Sequence, residues 1–450
     1  MMPRWLLLTW LLTPPVLAAE MRFWTNTTGQ IIEAEMTGVN TARRAVQVRL
    51  KDGSSAEIQI ENLSQPDKDY ARQQWASMQA SPSAPATPAA TPSSNPKLPP
   101  RWQARATTDA RLAKVLESGG GVEVEAAVVK SLDGFKSRQN ADGSWGRGNK
   151  AAMTGFALQC YYGHGDTPDS SLYGDAIRKG LSYLIDLSKA NPHGMLSENW
   201  QGGKGGSGTY EHAIAAKALG EACLMARYDG KSFPGMREAF EAAVKLIIAQ
   251  QNHAGSWTYG GKIIAYQPES KSGDLSLANW HFLVLDLARE SQWKIDALDA
   301  CIQKAVRYIK KMQSKDGGFG GANRESHYNQ WSLTGGALAG LYLMEGTEDE
   351  DGKKASQFLT GFLAAEPPDW NVNANLYCWH GYAQALCLEG GPAWRTFASA
   401  VLRQTVAAQQ EDGSFKRARP NYPAGDAVDE TYRQALCTLL LETPYRCAPN

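Results

Sequence analysis

The sequence predicts a mainly α-helical chain whose larger part is an α/α toroid, a closed ring of about six helical hairpins, preceded by a small β-barrel and a Pro/Ala-rich linker. Three observations carry this prediction. A Gln-xxx-Gly-x-aromatic turn occurs four times, the helices around it alternate between charged and nearly uncharged, and residues 21–63 show strand period instead.

The four turns begin at Gln139, Gln251, Gln313 and Gln409. Their spacing becomes regular, about 40 to 60 residues, once two degenerate units ending near Leu196 and Trp370 are inserted, and that is the length of a helical hairpin with its loops. An amphipathic segment such as AVKLIIAQQ or AVRYIKKMQ leads into each turn, as expected of an outer helix with one wet face. Gly143, Gly255, Gly317 and Gly413 stand where such a helix must stop, and Trp145, Trp257, Phe319 and Phe415 follow two residues on to stack back on the helix end. The segments after the turns, among them EHAIAAKALGEACL and SLANWHFLVLDLA, are rich in Ala, Gly and Leu and suit inner helices buried nearly all round.

Four segments are expected: residues 1–19 as a signal peptide, 20–79 as the small barrel, 80–101 as a disordered Pro/Ala/Ser linker and 102–450 as the toroid. The first nineteen residues set one Arg before a short Leu/Trp-rich run and end in small residues suited to cleavage near Ala18 or Ala19. The implied destination is periplasmic or extracellular, with no stable membrane span once the leader is removed. Forty-six basic residues balance forty-six acidic ones, so no overall field draws the chain to nucleic acid. Cys160, Cys223, Cys378, Cys387 and Cys437 fall in apolar helical stretches, where Cys is usually a small buried hydrophobe, and no C-x-x-C appears.

Within 21–63, apolar alternation at Val46, Val48 and Leu50 and at Ile58 and Ile60 is broken by Gly29, Gly38 and the Asp52-Gly53 turn. Phe23-Trp24-Thr25, the run Ile32-Glu33-Ala34-Glu35 after Gly29, and L-S-x-x-D-x-x-Y from Leu63 to Tyr70 together resemble the SLA homology domain, an SH3-like barrel first known in an endocytic adaptor. That resemblance covers about fifty residues and implies a module that binds a protein partner.

The repeated turn resembles the QW repeat of the terpene cyclase and protein prenyltransferase superfamily, also called the prenyltransferase and squalene oxidase repeat, over about 340 residues. The resemblance implies the toroid and leaves function open, since one fold hosts many activities. A class II cyclase of that superfamily uses a DxDD motif, and none occurs; the nearest acidic runs are Glu348 to Asp351 and Asp426-Ala-Val-Asp429. The prenyltransferase zinc set is not matched by Cys378 and His380, and no G-C-G-E-Q thioester run is present.

In such a ring the first turns of the inner helices converge on a central funnel. Acid/base chemistry there would fall to Glu211, His212, His281, His380, Asp429 or Glu430. Ligand contact would fall to Tyr210, Asn279, Trp280, His327, Gln330, Trp331, Tyr377, Trp379 and Tyr432, a set that suits a glycan, peptide or isoprenoid. His212, His281 and His380 with a carboxylate satisfy the count for a catalytic zinc, but no local spacing demands it, so neither metal nor cofactor is expected. The favoured function is an exported binding or scaffold protein. The alternatives are a lyase or hydrolase acting on an extracellular polysaccharide or cell-wall polymer, and an isoprenoid-binding or cyclase-like protein.

Overall fold

A computed structural model describes residues 21–27, 29–40, 45–51, 54–79, 97–198, 207–258, 273–320, 330–418 and 429–447, with the backbone alone for Asn40, 73–79 and Gln330. Residues 1–20, where the leader is expected, residues 80–96 and His327 lie outside them. The chain divides into two compact units, Met1–Ala90 and Thr91–Asn450.

The first unit is a four-stranded antiparallel meander of β1 (Met21–Thr25), β2 (Ile31–Asn40), β3 (Ala45–Leu50) and β4 (Ser55–Gln59), followed by helix α1 (Gln65–Gln79). A bulge between Met36 and Gly38 shifts the β2–β3 register and bends the sheet. Its two edges are drawn together where the Thr27 N–H donates to the Asn62 carbonyl (2.7 Å) and the Ser64 N–H to the Thr25 carbonyl (2.8 Å). Trp24, Met36, Val46, Val48 and Leu63 form the core. Asp67, buried, accepts from the Thr25 N–H (2.7 Å), the Ser64 hydroxyl (2.8 Å) and Arg22 (2.8 Å), whose guanidinium lies 3.8 Å over Tyr70. The L-S-x-x-D-x-x-Y run is therefore a latch that holds the sheet to its helix.

The second unit opens with a 3₁₀ turn (Pro100–Arg105) and α2 (Thr108–Glu117), which Thr107 caps by accepting the Ala110 N–H. Six hairpins follow, each an outer and an inner helix: α3 (Glu123–Ser137) with α4 (Lys150–His164), α5 (Gly174–Ala190) with α6 (Gly208–Asp229), and α7 (Met236–Gln250) with α8 (Leu275–Glu290). The last three are α9 (Leu298–Lys311) with α10 (Gln330–Glu345), α11 (Glu350–Ala365) with α12 (Leu376–Glu389), and α13 (Gly391–Ala407) with α14 (Glu430–Arg446). Each inner helix packs on its two inner neighbours and α14 packs on α4, so the ring closes. Outer helices bury one stripe, as α9 does with Ile302, Ala305, Val306 and Ile309, whereas α4 is buried at every position from Ala151 to Gly163.

The repeated turn is what joins one hairpin to the next. The amide nitrogen of Gln139 donates to the Gly143 carbonyl of its own turn (2.9 Å) and to the Ala176 carbonyl of the next outer helix (2.9 Å). Gln251 repeats this toward Cys301, Gln313 toward Asp351, and Gln409 reaches Ala127 across the closing seam (2.7 Å). The turn glycines hold φ between +82° and +95° and lie against a carbonyl one helical turn further along that same neighbour, Lys179 in the case of Gly143. Trp145 and Trp257 donate their indole N–H to carbonyls of the preceding helix, Phe135 (2.7 Å) and Ile247 (2.9 Å). Of the degenerate turns, the second lays Gly194 on Ala242, and the fifth reverses the bridge. There Gln404 of the next helix donates to the Pro368 carbonyl (2.9 Å) and accepts from the Trp370 N–H (2.6 Å).

Residues 97–101, which composition places in the linker, pack on the ring instead. Leu98 is buried, and Arg101 pairs with Asp286 (2.7 Å) and Glu290.

Candidate ligand-binding site

The inner helices enclose two adjoining chambers. The upper one, about 350 Å³ with its mouth, is lined from α8 by Asn279 and Trp280, from α10 by Ser332 and Gly336, and from α12 by Tyr377, His380 and Gln384. Helix phase explains the choice. Tyr377, His380 and Gln384 lie at i, i+3 and i+7 on one stripe, while Trp379 falls off it into the wall against Trp370 (6.1 Å). Glycine lets α10 come this close: a Cβ on Gly336 would overlap the Asn279 side chain, and one on Gly381 would stand 2.8 Å from the Gly336 nitrogen.

Trp280 organises the aromatic side of the site. His380 stacks on it (5.7 Å, 20°), and Tyr377 (6.4 Å) and Phe156 (5.4 Å) surround it, with Tyr432 edge-on to Phe156 (5.7 Å). Ser276 joins two walls, meeting the Tyr210 hydroxyl at 2.7 Å and accepting at its carbonyl from Tyr377 (3.3 Å). The Gln384 amide nitrogen lies 2.9 and 3.0 Å from the two His380 ring nitrogens. Burial, and then the charges of Lys217 and Arg446, hold the His380 imidazole down at about 3, so it is neutral at physiological pH. Asn279 is 7% exposed; among the described residues its amide nitrogen and oxygen make no well-formed hydrogen bond, and its amide is a polar neighbour of the Tyr377 hydroxyl.

The other residues expected at the funnel stand elsewhere. His212 accepts from the Leu196 N–H (3.0 Å) and donates to the Ala243 carbonyl (3.1 Å), which fixes the degenerate second turn; burial holds it at about 4. His281, one residue past Trp280 and so rotated ~100° around the helix, donates to the Leu277 carbonyl (2.9 Å) and stacks on Trp257 (4.4 Å). Glu211 is buried and accepts from the Ser207 hydroxyl (3.1 Å). Asp429 caps α14 through the Thr431 N–H (2.8 Å) and accepts from the Arg147 N–H (3.2 Å). Glu430 is half exposed, 4.0 Å from Arg433. Trp331 is exposed at the start of α10, where its carbonyl accepts from the Tyr382 hydroxyl. The side chains of His327 and Gln330 lie outside the described residues. No group of three or more His, Cys, Asp or Glu is placed to hold a metal among the described residues.

The lower chamber, about 530 Å³ counting the open space at its mouth, shares Leu283, His380 and Gln384 with the upper and is lined further by Arg101, Arg105, Lys217, Glu221, Asp286 and Arg446. Glu221 is its hub, 2.8 Å from Lys217, 2.6 Å from Arg446 and 3.6 Å from Arg105. Against the cost of burial, those three cations hold its carboxyl down at about 2. Sequence reasoning missed this layer. Its signal was present as i, i+4 charge pairs, Lys217 with Glu221 and Glu442 with Arg446, inside segments otherwise almost free of charge.

No protein-family model matches the chain, and no curated protein is similar to it. Several solved structures are similar at low identity. One titled as a glycosidase is 11% identical with a TM-score of 0.44, covering 73% of this chain and 98% of that one. The type II terpene cyclase MstE of Scytonema, without ligand, is 14% identical with a TM-score of 0.43, covering 72% and 98%. Its D109N variant with geranylgeranyl dihydroxybenzoate is 15% identical with a TM-score of 0.41, covering 75% and 98%. The molecule's own geometry defines its class, a closed α/α toroid with a central two-chambered cavity, joined in one chain to a small antiparallel β unit.

Proposed function

We propose that the protein is an exported binding protein whose toroid takes one small neutral ligand, a sugar unit or a peptide amide, in the upper chamber. The observation that carries this is Asn279, a buried amide with no well-formed hydrogen bond among the described residues, which lines the chamber together with Trp280 and Tyr377. A paired donor and acceptor next to aromatic rings matches a ligand with hydroxyl or amide groups on a flat body. Glu211, Asp429 and Glu430 are engaged away from the chamber, which favours binding over acid/base turnover. The ionic lower chamber counts against an isoprenoid filling the cavity.

The finer family assignment, to the QW repeat, is supported by the bridging geometry of all four Gln turns. Export rests on the leader pattern, and a protein partner for the β unit on its resemblance to the SLA homology domain. The test is calorimetric titration of the full chain with neutral mono- and disaccharides and with acetylated amino-acid amides. At least one class is expected to bind at one site, with Asn279→Ala weakening it tenfold or more, about 1.4 kcal/mol. Absence of binding by both classes, or affinity unchanged by Asn279→Ala and by Gln384→Ala, overturns the reading.

A further inference from the structure

Below His380 and Gln384 the ring carries a charge imbalance that its own side chains do not resolve. Arg105, Lys217 and Arg446 converge on the single carboxylate of Glu221. The other acids nearby are committed: Asp286 is shared between Arg101 and Arg289, and Glu290 pairs with Arg101. Glu442, fully buried 3.3 Å from Arg446, has its carboxyl pushed up to about 8 by that burial, so it is largely protonated at neutral pH. With Arg105, Lys217 and Arg446 all charged, the cations exceed their counterions by one charge when Glu442 is ionised and by two when it is not, and burial lowers the Lys217 ammonium from its ordinary value.

Arg105 registers the imbalance. It is 2% exposed, its Nε–H has no partner among the described residues, and burial followed by the nearby charge of Arg446 lowers it to about 9. An uncompensated buried charge costs several kcal/mol, so the site gains by taking an anion. Apolar groups line the chamber as well, Leu287, Leu343 and Leu439 together with Trp102, whose ring lies 4.1 Å from the Arg105 guanidinium.

We infer that the lower chamber is a binding site for a small organic carboxylate, its anionic end on Arg105, Lys217 and Arg446 and its hydrocarbon body on the leucine wall. Guanidinium forks match carboxylate geometry, and the apolar wall selects an organic anion over an inorganic one. The site adjoins the upper chamber and shares Leu283, His380 and Gln384 with it, but the cations that define it line the lower chamber alone, so it stands without the upper chamber's neutral ligand.

The experiment titrates the full chain with hexanoate and benzoate, with hexanamide and benzamide, and with inorganic phosphate, all at one ionic strength. Saturable one-site binding of a carboxylate is expected, at least tenfold tighter than its amide and than phosphate. Lys217→Met and Arg105→Gln are each expected to weaken it tenfold or more. Equal affinity for carboxylate and amide, phosphate binding as tight as the carboxylates, no carboxylate binding at all, or unchanged affinity in both variants overturns the inference. The carboxylate and amide comparison needs only the wild-type chain, so it decides the matter even where a variant fails to fold.

Discussion

Gly143→Ala tests the account of the repeated turn. Gly143 sits at φ +85°, and a Cβ there would stand 2.6 Å from the Lys179 carbonyl oxygen and 2.9 Å from its carbon, backbone atoms of the neighbouring outer helix. The left-handed conformation costs an alanine ~1–2 kcal/mol, and relieving an overlap against rigid backbone ~1–3 more, for a total of ~2–5 kcal/mol. At ~2.1 cal/mol/K per residue, the unit of about 360 residues has an unfolding entropy of ~0.75 kcal/mol/K. The expected drop in Tm by scanning calorimetry is therefore ~3–7 °C. Gly361→Ala is the matched control. Gly361 lies exposed within α11 with nothing within 4 Å of its Cβ direction, so the same substitution is expected to stabilise by ~0.5–1 kcal/mol and raise Tm by ~1 °C. If Gly143→Ala melts at the wild-type temperature, or no lower than Gly361→Ala, the contact between turn and neighbour does not hold the ring.

Two further outcomes follow from buried charge. His212, His281 and His380 are held neutral at about 4, 3 and 3 by burial, below their unfolded value of ~6.5. The unfolded chain therefore binds more protons at these three sites between those limits, so their contribution to toroid stability is expected to be full above pH 6.5 and to fall as pH drops toward 4, while Glu442, raised to about 8, and His164, raised to about 9, contribute stability that is lost as pH rises. Chemical denaturation across that range measures the slope, which is expected to lose about one proton in His281→Gln; an unchanged slope refutes the assignment. In the β unit, Asp67→Ala removes three accepted bonds and leaves Arg22 without its counterion, at an expected cost of ~2–4 kcal/mol. Hydrogen exchange in the intact chain is expected to rise in 21–63 and stay unchanged in the ring; equal protection in variant and wild type refutes the latch.

The ring was legible because its joints are written as residues. Gln139, Gln251, Gln313 and Gln409 each make the same bridge, so one physical requirement recurs as one motif. The two degenerate turns were visible only as an interval, since Gly194 and Gln404 meet the same need with different chemistry. At the site, sequence reasoning located the helix ends but not the rotation of the helices. Trp280 and His281 are neighbours in the chain and face different surroundings, a cavity and a turn tryptophan. The acidic candidates became caps and wall groups because a buried helix start recruits carboxylates for its own N–H groups, as Asp429 shows. Arg101 and Arg105 were hidden by position, directly after a run of prolines. Their placement follows from the inner-helix C-termini they meet, where Arg105 donates to the Tyr162 and Arg446 carbonyls.

The glutamine bridges also set an order of assembly. Those of Gln139, Gln251 and Gln313 join positions 37, 50 and 38 residues apart, while that of Gln409 joins positions 282 apart. Loop closure over the longer span costs about 1.7 kcal/mol more than over ~40 residues, before any contact repays it. The chain is thus a bracelet with local links and one clasp, where α13 meets α3. A growing arc of hairpins would be complete at every joint except its two ends, and strain or dilute denaturant would first open the ring at that clasp, giving an arc with its hairpins intact.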